Sequence, residues 1–170
     1  MSQDALLSPK QKLPSAYTIL KGPPTTDEAE CHLLQFDGLC IPNPGVATAG
    51  AVLYGPDSKI PIAEQGEFIG RGTNNVAEYN GLLIGVKMAI KQGVKKLLIE
   101  GDSALVIQQT GGNWKVNNVA LWQLNKEIRD LLLTQFEFVA LRHVYRASNV
   151  AADAITNEVF KQRQSFYRVL

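Results

Sequence analysis

Four acidic residues stand where a carboxylate could do chemistry. Asp37 closes the apolar run CHLLQFD, and Asp102 closes KLLIEG and precedes Ser103. Glu78 and Asp153 fall in the first turns of two segments whose apolar residues recur at helical spacing. Three of them also have a structural reading. Glu78, three residues after Asn75, can complete a capping box; Asp102 can cap the helix that follows; Asp153 can complement a helix dipole. Asp37 has no capping task. Read together, the four point to one crevice, where their mutual repulsion calls for cations. Hard divalent ions with oxygen ligands suit such a set, and Mg²⁺ keeps water and substrate phosphate in its shell. Two ions about 4 Å apart clamp the attacking and leaving oxygens of a phosphodiester, so the implied chemistry is metal-assisted phosphodiester hydrolysis.

The elements that must position these groups follow from periodicity and turn chemistry. Residues 31–37, 46–54 and 60–69 read as three strands joined by turns at GLCIPNPG and Gly55-Pro56-Asp57, an antiparallel meander. A helix is predicted from about Asn74 to Gln92, with Thr73 or Asn74 as its cap and Gly93 as its stop. A short buried strand at 96–101, a helix from about Ser103 to Gln109, a helix over 118–133, a strand at 136–144 and a helix from about Asn149 to Phe160 complete the order. Trp122 lies at helical spacing among apolar residues and reads as core. The fold class is therefore α/β, a five-stranded mixed sheet flanked by helices. Placing strand 96–101 parallel to strand 31–37 creates a topological switch point, where open α/β sheets bind ligands. Residues 1–30, with Pro9, Pro14, Pro23 and Pro24 and no clear period, read as a flexible N-terminal extension. Residues 31–160 form the domain, and 161–170 read as a short basic C-terminal tail.

The chain has 170 residues, 45% of them hydrophobic and 19% charged, a globular composition for one domain. Lys and Arg number 17 against 16 Asp and Glu, so a polyanion site has to be a local patch rather than a whole-protein field. Two cysteines, Cys31 and Cys40, make neither a disulfide framework nor a zinc site. No apolar run has the length of a membrane span, and the N-terminus lacks the pattern of a secretory signal. The expectation is an intracellular protein, in cytoplasm or nucleus, not secreted, acting as a monomer with no membrane and no evident protein partner.

Four segments then carry a resemblance. FDGLCIPNPGVATAG (36–50), TNNVAEY (73–79), IEGDS (99–103) and SNVAADAI (148–155) resemble, in order and in secondary-structure position, the motifs of the type 1 ribonuclease H family. The resemblance covers about residues 31–160 and implies a ribonuclease H-like fold. It implies an endonuclease that hydrolyses the RNA strand of RNA–DNA hybrids, leaving a 5′-phosphate and a 3′-hydroxyl. It further implies that Asp37, Glu78, Asp102 and Asp153 hold two Mg²⁺ ions, with Mn²⁺ as a substitute. Asn43, Asn74 and Asn75 match family positions that contact the hybrid's minor groove, where the 2′-hydroxyl distinguishes RNA from DNA. Cys40 lies on the same loop, and Thr73 matches a position that contacts a DNA phosphate. Trp114, beside Lys115 in GGNWKV, can support a sugar-phosphate backbone as a family aromatic near here does, or can pack onto the domain.

The chain also departs from the family pattern. Only QQTGGNWKVNNV stands where many members carry a basic protrusion, so weaker hybrid binding with a smaller salt slope is expected. Ala104 replaces a family Gln that helps bind substrate. The auxiliary residue before the last Asp is His143 on an ungapped match and Arg146 on a gapped one. A His has a proton to exchange near neutral pH, whereas an Arg only steers phosphate or product; Arg146 is favoured. The competing readings are an inactive nucleic-acid-binding module of the same fold, a detached ribonuclease H domain of a reverse-transcribing element, and another two-metal nuclease such as a resolvase or integrase.

Overall fold

The computed structural model describes residues 17–170. Seven strands and four α-helices alternate as β1 (Tyr17–Lys21), β2 (His32–Ile41), β3 (Gly45–Tyr54), β4 (Pro61–Gly72), α1 (Asn74–Lys91), β5 (Lys96–Gly101), α2 (Ala104–Thr110), α3 (Val119–Gln135), β6 (Phe138–His143), α4 (Val150–Gln162) and β7 (Phe166–Val169). They form one mixed sheet in the order β1-β6-β5-β2-β3-β4-β7. The β2-β3-β4 meander is antiparallel, while β5 pairs parallel with both β2 and β6. The switch point expected beside the first meander strand is therefore present, between β2 and β5.

Two edge strands lie outside the expected five. β1 pairs antiparallel with β6, so the reading of 17–30 as a flexible extension is corrected: this stretch forms a strand and a 3-10 turn at Glu28–Glu30, capped by the Asp27 side chain. Residues 1–16 of that expected extension lie outside the described residues. The basic tail is corrected too, because β7 pairs antiparallel with β4. Its Arg168 holds Glu64 and Glu158 at 3.0 and 2.9 Å.

Alternation along the strands sends one set of side chains to each face. Leu34, Phe36, Ala49, Ala51, Leu53, Leu97, Ile99, Val139 and Leu141 form the main core with the inner faces of α1, α2 and α3. The other face receives α4, which sits close because its neighbours are glycines. A Cβ on Gly50 would stand 2.9 Å from Ile155, and one on Gly66 would stand 2.4 Å from Val159. The Thr48 hydroxyl adds a 2.9 Å hydrogen bond to the α4 carbonyl of Thr156. Among the described residues, no helix is long and apolar enough to cross a membrane.

Candidate active site

Asp37 lies inside β2 rather than at its end, because the strand runs on to Ile41. Gly38 makes that possible. A Cβ there would fall 2.2 Å from the Glu78 amide nitrogen and 2.3 Å from the Ala77 carbonyl carbon. The contact is reciprocal: a Cβ on Gly81 of α1 would lie 2.3 Å from the Asp37 carbonyl oxygen. Two glycines thus bring the backbone of β2 against the first turns of α1, and that approach delivers Glu78 to Asp37.

The capping duties fall elsewhere, which frees the acids. Thr73 caps α1, accepting from the Val76 amide at 3.2 Å, and Ser103 caps α2, accepting from Val106 at 3.3 Å. Glu78 and Asp102 are therefore not needed as caps. Asp102 follows β5 directly, beside the β2 strand that carries Asp37.

Asp37, Glu78 and Asp102 each place a carboxylate oxygen within 4.8 Å of the others. Asp37 Oδ1 accepts from the Gly38 amide at 2.9 Å. Glu78 Oε2 is buried with no hydrogen-bond partner. Burial pushes the carboxyls of Glu78 and Asp37 well above the ordinary range; the charges of Asp37 and Asp102 raise Glu78 further, and that of Asp102 raises Asp37, which a hydrogen bond with Glu78 partly offsets. Burial raises Asp102 as well, and the charge of Asp153 adds to that while Arg146 and His143 oppose it. Two crowded, desolvated carboxylates beside a third, with one oxygen orphaned, form a donor set of the hard-oxygen kind that divalent cations fit.

Asp153 stands apart from this three-residue cluster. It lies in the first turn of α4, and its charge reaches both Asp37 and Asp102. The turn before α4 is pinned to β2, since the buried Asn149 side chain donates to the Phe36 carbonyl at 2.8 Å. Arg146, on the 3-10 turn Arg146–Ser148, is exposed and approaches Asp153 Oδ1 at 3.9 Å. His143 ends β6, and its Nε2 lies 3.2 Å from the Asp102 carbonyl oxygen, so the ring is engaged with backbone.

The expected substrate-contact residues gather at one rim. Asn43 Oδ1 accepts from the Asn74 amide at 3.1 Å, which ties the β2–β3 turn to the start of α1. Asn43, Thr73, Asn74 and Asn75 are all exposed there. Cys40 differs. Its thiol is only 6% exposed and donates to the carbonyls of Pro42 and Gly72 at 3.2 and 3.3 Å, so it holds the turn instead of facing outward. Trp114 is 49% exposed in the α2–α3 loop. That loop is tied back to α1 because Gln109 accepts from Tyr79, the neighbour of Glu78, and donates to the Lys115 carbonyl. Trp122, read from its spacing as core, is 52% exposed on α3.

Comparison with known proteins agrees with this geometry. The family described as reverse transcriptase-like matches residues 35–159. Ribonuclease HI of Halobacterium salinarum is 42% identical over 123 residues, which is 72% of this chain and 61% of that protein. A bifunctional protein of Mycobacterium tuberculosis is 39% identical over 126 residues, 74% of this chain and 34% of that protein. The chain thus spans about a third of the mycobacterial relative and three-fifths of the halobacterial one. Among solved structures, the halobacterial RNase H1 superposes with a TM-score of 0.74 at 39% identity, covering 77% of this chain and 98% of that one. LC11-RNase H1 in complex with an RNA/DNA hybrid gives 0.73 at 26% identity, covering 78% and 99%. The fold and the acidic cluster define a ribonuclease H-like domain. The chain belongs to the type 1 ribonuclease H family.

Proposed function

We propose that this chain is a metal-dependent endonuclease that hydrolyses the RNA strand of RNA–DNA hybrids, leaving 5′-phosphate and 3′-hydroxyl ends. The observation that carries this reading is the convergence of the Asp37, Glu78 and Asp102 oxygens within 4.8 Å, with Glu78 Oε2 unpartnered. A negative crevice is of no use to a pure binder of phosphate chains, whereas it fits an enzyme that takes up cations. The relatedness to ribonuclease HI and to an RNase H1 seen with a hybrid supports the substrate class.

Asp37, Glu78 and Asp102 would hold the ions, with Asp153 completing the set from α4. When bound, two divalent ions, Mg²⁺ first and Mn²⁺ as substitute, supply activation of a water and stabilisation of the leaving 3′ oxygen. The chain's own groups do the rest. Asn43, Asn74 and Asn75 line the rim where the 2′-hydroxyl of RNA would be read, through side-chain amides that both donate and accept. Thr73 offers a hydroxyl at the start of α1 for a DNA phosphate. Cys40 serves this rim by holding its turn. Trp114 and Lys115 would support the DNA backbone from the opposite loop.

Arg146 is the auxiliary group in this reading, because its guanidinium is exposed and close to Asp153 while His143 is engaged with a carbonyl. Arg146→Ala is expected to lower kcat by about tenfold or more, as loss of a charge-assisted phosphate contact would. With Arg146 in that role, the pH–rate profile is expected to carry no limb that depends on His143. A profile with such a limb, abolished by His143→Ala, would reassign the role to His143.

The direct test is cleavage of a 5′-labelled RNA, single-stranded or paired to DNA or to RNA, with Mg²⁺, Mn²⁺ or chelator. Metal-dependent cuts confined to the hybrid are expected. Cuts in both duplexes would broaden the substrate, and binding without any cleavage would overturn the reading in favour of an inactive module.

A further inference from the structure

A row of polar side chains crosses the sheet at one register, just before the acidic cluster. Tyr17 on β1 pairs with Arg142 on β6, Arg142 with Glu100 on β5, and Glu100 with Gln35 on β2. The row continues through Val52 on β3 to Glu64 on β4 and Arg168 on β7. The side chains join on each side of the apolar Val52. Arg142 Nε donates to Glu100 Oε2 at 2.7 Å, and a second guanidinium nitrogen bonds the Tyr17 hydroxyl. Glu28, on the 3-10 turn after β1, approaches Arg142 at 2.9 Å and also takes the Tyr17 hydroxyl. Gln35 Nε2 donates both to Glu100 Oε1 at 3.0 Å and to the Ser148 carbonyl at 3.1 Å.

Two members of this row, Gln35 at its centre and Arg168 at its β7 end, hold α4 and the turn that leads into it. Ser148 closes the 3-10 turn that carries Arg146 and leads into α4. At the far edge, Arg168 binds Glu158 in the C-terminal half of α4 and Glu64 beneath it. The strands that supply Tyr17 and Arg168, β1 and β7, lie outside the 35–159 stretch that the family matches. Glu100 is only 5% exposed, and Gln35 is buried beside it. Apolar residues would be the cheaper filling for such a position. What these polar groups provide instead is direction, because their hydrogen bonds fix where Ser148 and Glu158 must lie.

We propose that this row is a seat for α4, and that Gln35, Arg142 and Arg168 are positioning residues that hold Arg146 and Asp153 against the Asp37–Glu78–Asp102 cluster. The catalytic half of this statement rests on the proposed function above. β1 and β7 are then braces for the catalytic end of the sheet and not merely edge covers.

Gln35→Met removes both amide bonds at similar volume and leaves the Arg142–Glu100 pair in place. Arg168→Met releases α4 at the other end, far from the cluster. Amide hydrogen exchange is measured on the metal-free protein well below its melting temperature, beside kcat and KM on the hybrid. For Gln35→Met, exchange over 146–153 is expected to rise about tenfold, the equivalent of one hydrogen bond, with α1 and α3 unchanged. Its kcat is expected to fall about tenfold with KM within about twofold, because substrate binding at the rim is untouched. Arg168→Met should loosen the C-terminal half of α4, and Arg168→Lys should restore most of the loss. Exchange that rises uniformly over all elements with kcat unaltered, or that does not rise in either variant, would overturn the proposal. If Gln35→Met does not fold, Arg168→Met decides alone. If the unaltered chain fails to cleave hybrids, the proposed function falls, while the exchange data still decide whether the seat exists.

Discussion

Glu78→Gln is expected to abolish hybrid cleavage and, in the same protein, to raise the melting temperature of the metal-free chain above neutral pH. The two effects have one cause. Glu78 lies half-buried against Asp37, with Asp102 close by, and its buried Oε2 has no partner. Burial and like charge hold its carboxyl, and that of Asp37, far above the ordinary range. A carboxyl whose pKa is raised on folding binds its proton more tightly in the native state. Its contribution to stability is then fully present below the unfolded value near pH 4 and is lost as pH climbs through the raised folded value. Without metal, the site should therefore weaken the fold progressively above the ordinary carboxylate range. Glutamine keeps the shape, carries no charge and removes the repulsion. The gain at pH 8 is expected to be on the order of 1 kcal/mol, a rise of a few degrees for a chain of this size. Loss of a metal ligand should cost on the order of a thousandfold in kcat. The measurement is thermal unfolding with chelator from pH 5 to pH 9, beside the hybrid assay. Wild type should lose more stability with pH than the glutamine variant and recover it when Mg²⁺ is added; the variant should keep only the smaller loss that the raised Asp37 carboxyl causes and respond less to Mg²⁺. A glutamine variant less stable than wild type at pH 8 in chelator would show that the carboxylates are not in conflict.

Much of this arrangement was readable in the sequence. The four α-helices, the β2-β3-β4 meander and the parallel β2–β5 pair follow from periodicity, because each buries one face or stripe against the sheet. The acids are legible for the same reason: they sit where apolar periodicity starts or stops. The caps of α1 and α2 required coordinates, since Thr73, Asn74 and Asn75, or Asp102 and Ser103, are chemically interchangeable as N-caps. The edge strands were hidden by their length. Tyr17–Lys21 has β-forming residues, but only five of them, bounded by Pro14 and Pro23. Phe166–Val169 has four, within a basic tail. Such strands are defined by their partners, β6 and β4, which lie far away in sequence. Trp122 misled for the opposite reason. Its spacing is helical, but the stripe that α3 buries contains Leu121, Asn125, Ile128 and Leu132, and Trp122 falls just outside it. The polar row beneath α4 was least accessible, since Tyr17, Gln35, Glu100 and Arg142 become neighbours only when strand register is known. Their residue types, mid-strand and polar, were the available signal.

Gly81→Ala should destabilise the chain by about 2–4 kcal/mol and weaken metal binding, although helix propensity alone favours alanine by about 1 kcal/mol. The sign is set by what the new methyl meets. At Gly81 it is the Asp37 carbonyl oxygen at 2.3 Å, an atom fixed in the ladder between β2 and β3. Neither side can yield by a rotamer change, so α1 must move off the sheet, and Glu78, one turn earlier, moves with it. Gly85 supplies the comparison. The nearest atoms a methyl there meets are the Leu34 side-chain tips at 2.8 and 2.9 Å and the Ala51 methyl at 3.1 Å, side-chain atoms and not backbone. Gly85→Ala is therefore expected to cost less, and it leaves the Asp37–Glu78 approach in place. Urea unfolding of both variants with chelator gives the stability order, and calorimetric titration with Mn²⁺ gives the site. Gly81→Ala should show the larger loss in both, while Gly85→Ala should bind Mn²⁺ as wild type does. If Gly81→Ala were neutral or stabilising, α1 would have room that the backbone contact denies. The close approach of β2 and α1 would then not be what brings the two carboxylates together. If Gly81→Ala lost stability but bound Mn²⁺ normally, the glycine contact would serve packing alone, and the cluster would be held by β5 and α4 instead.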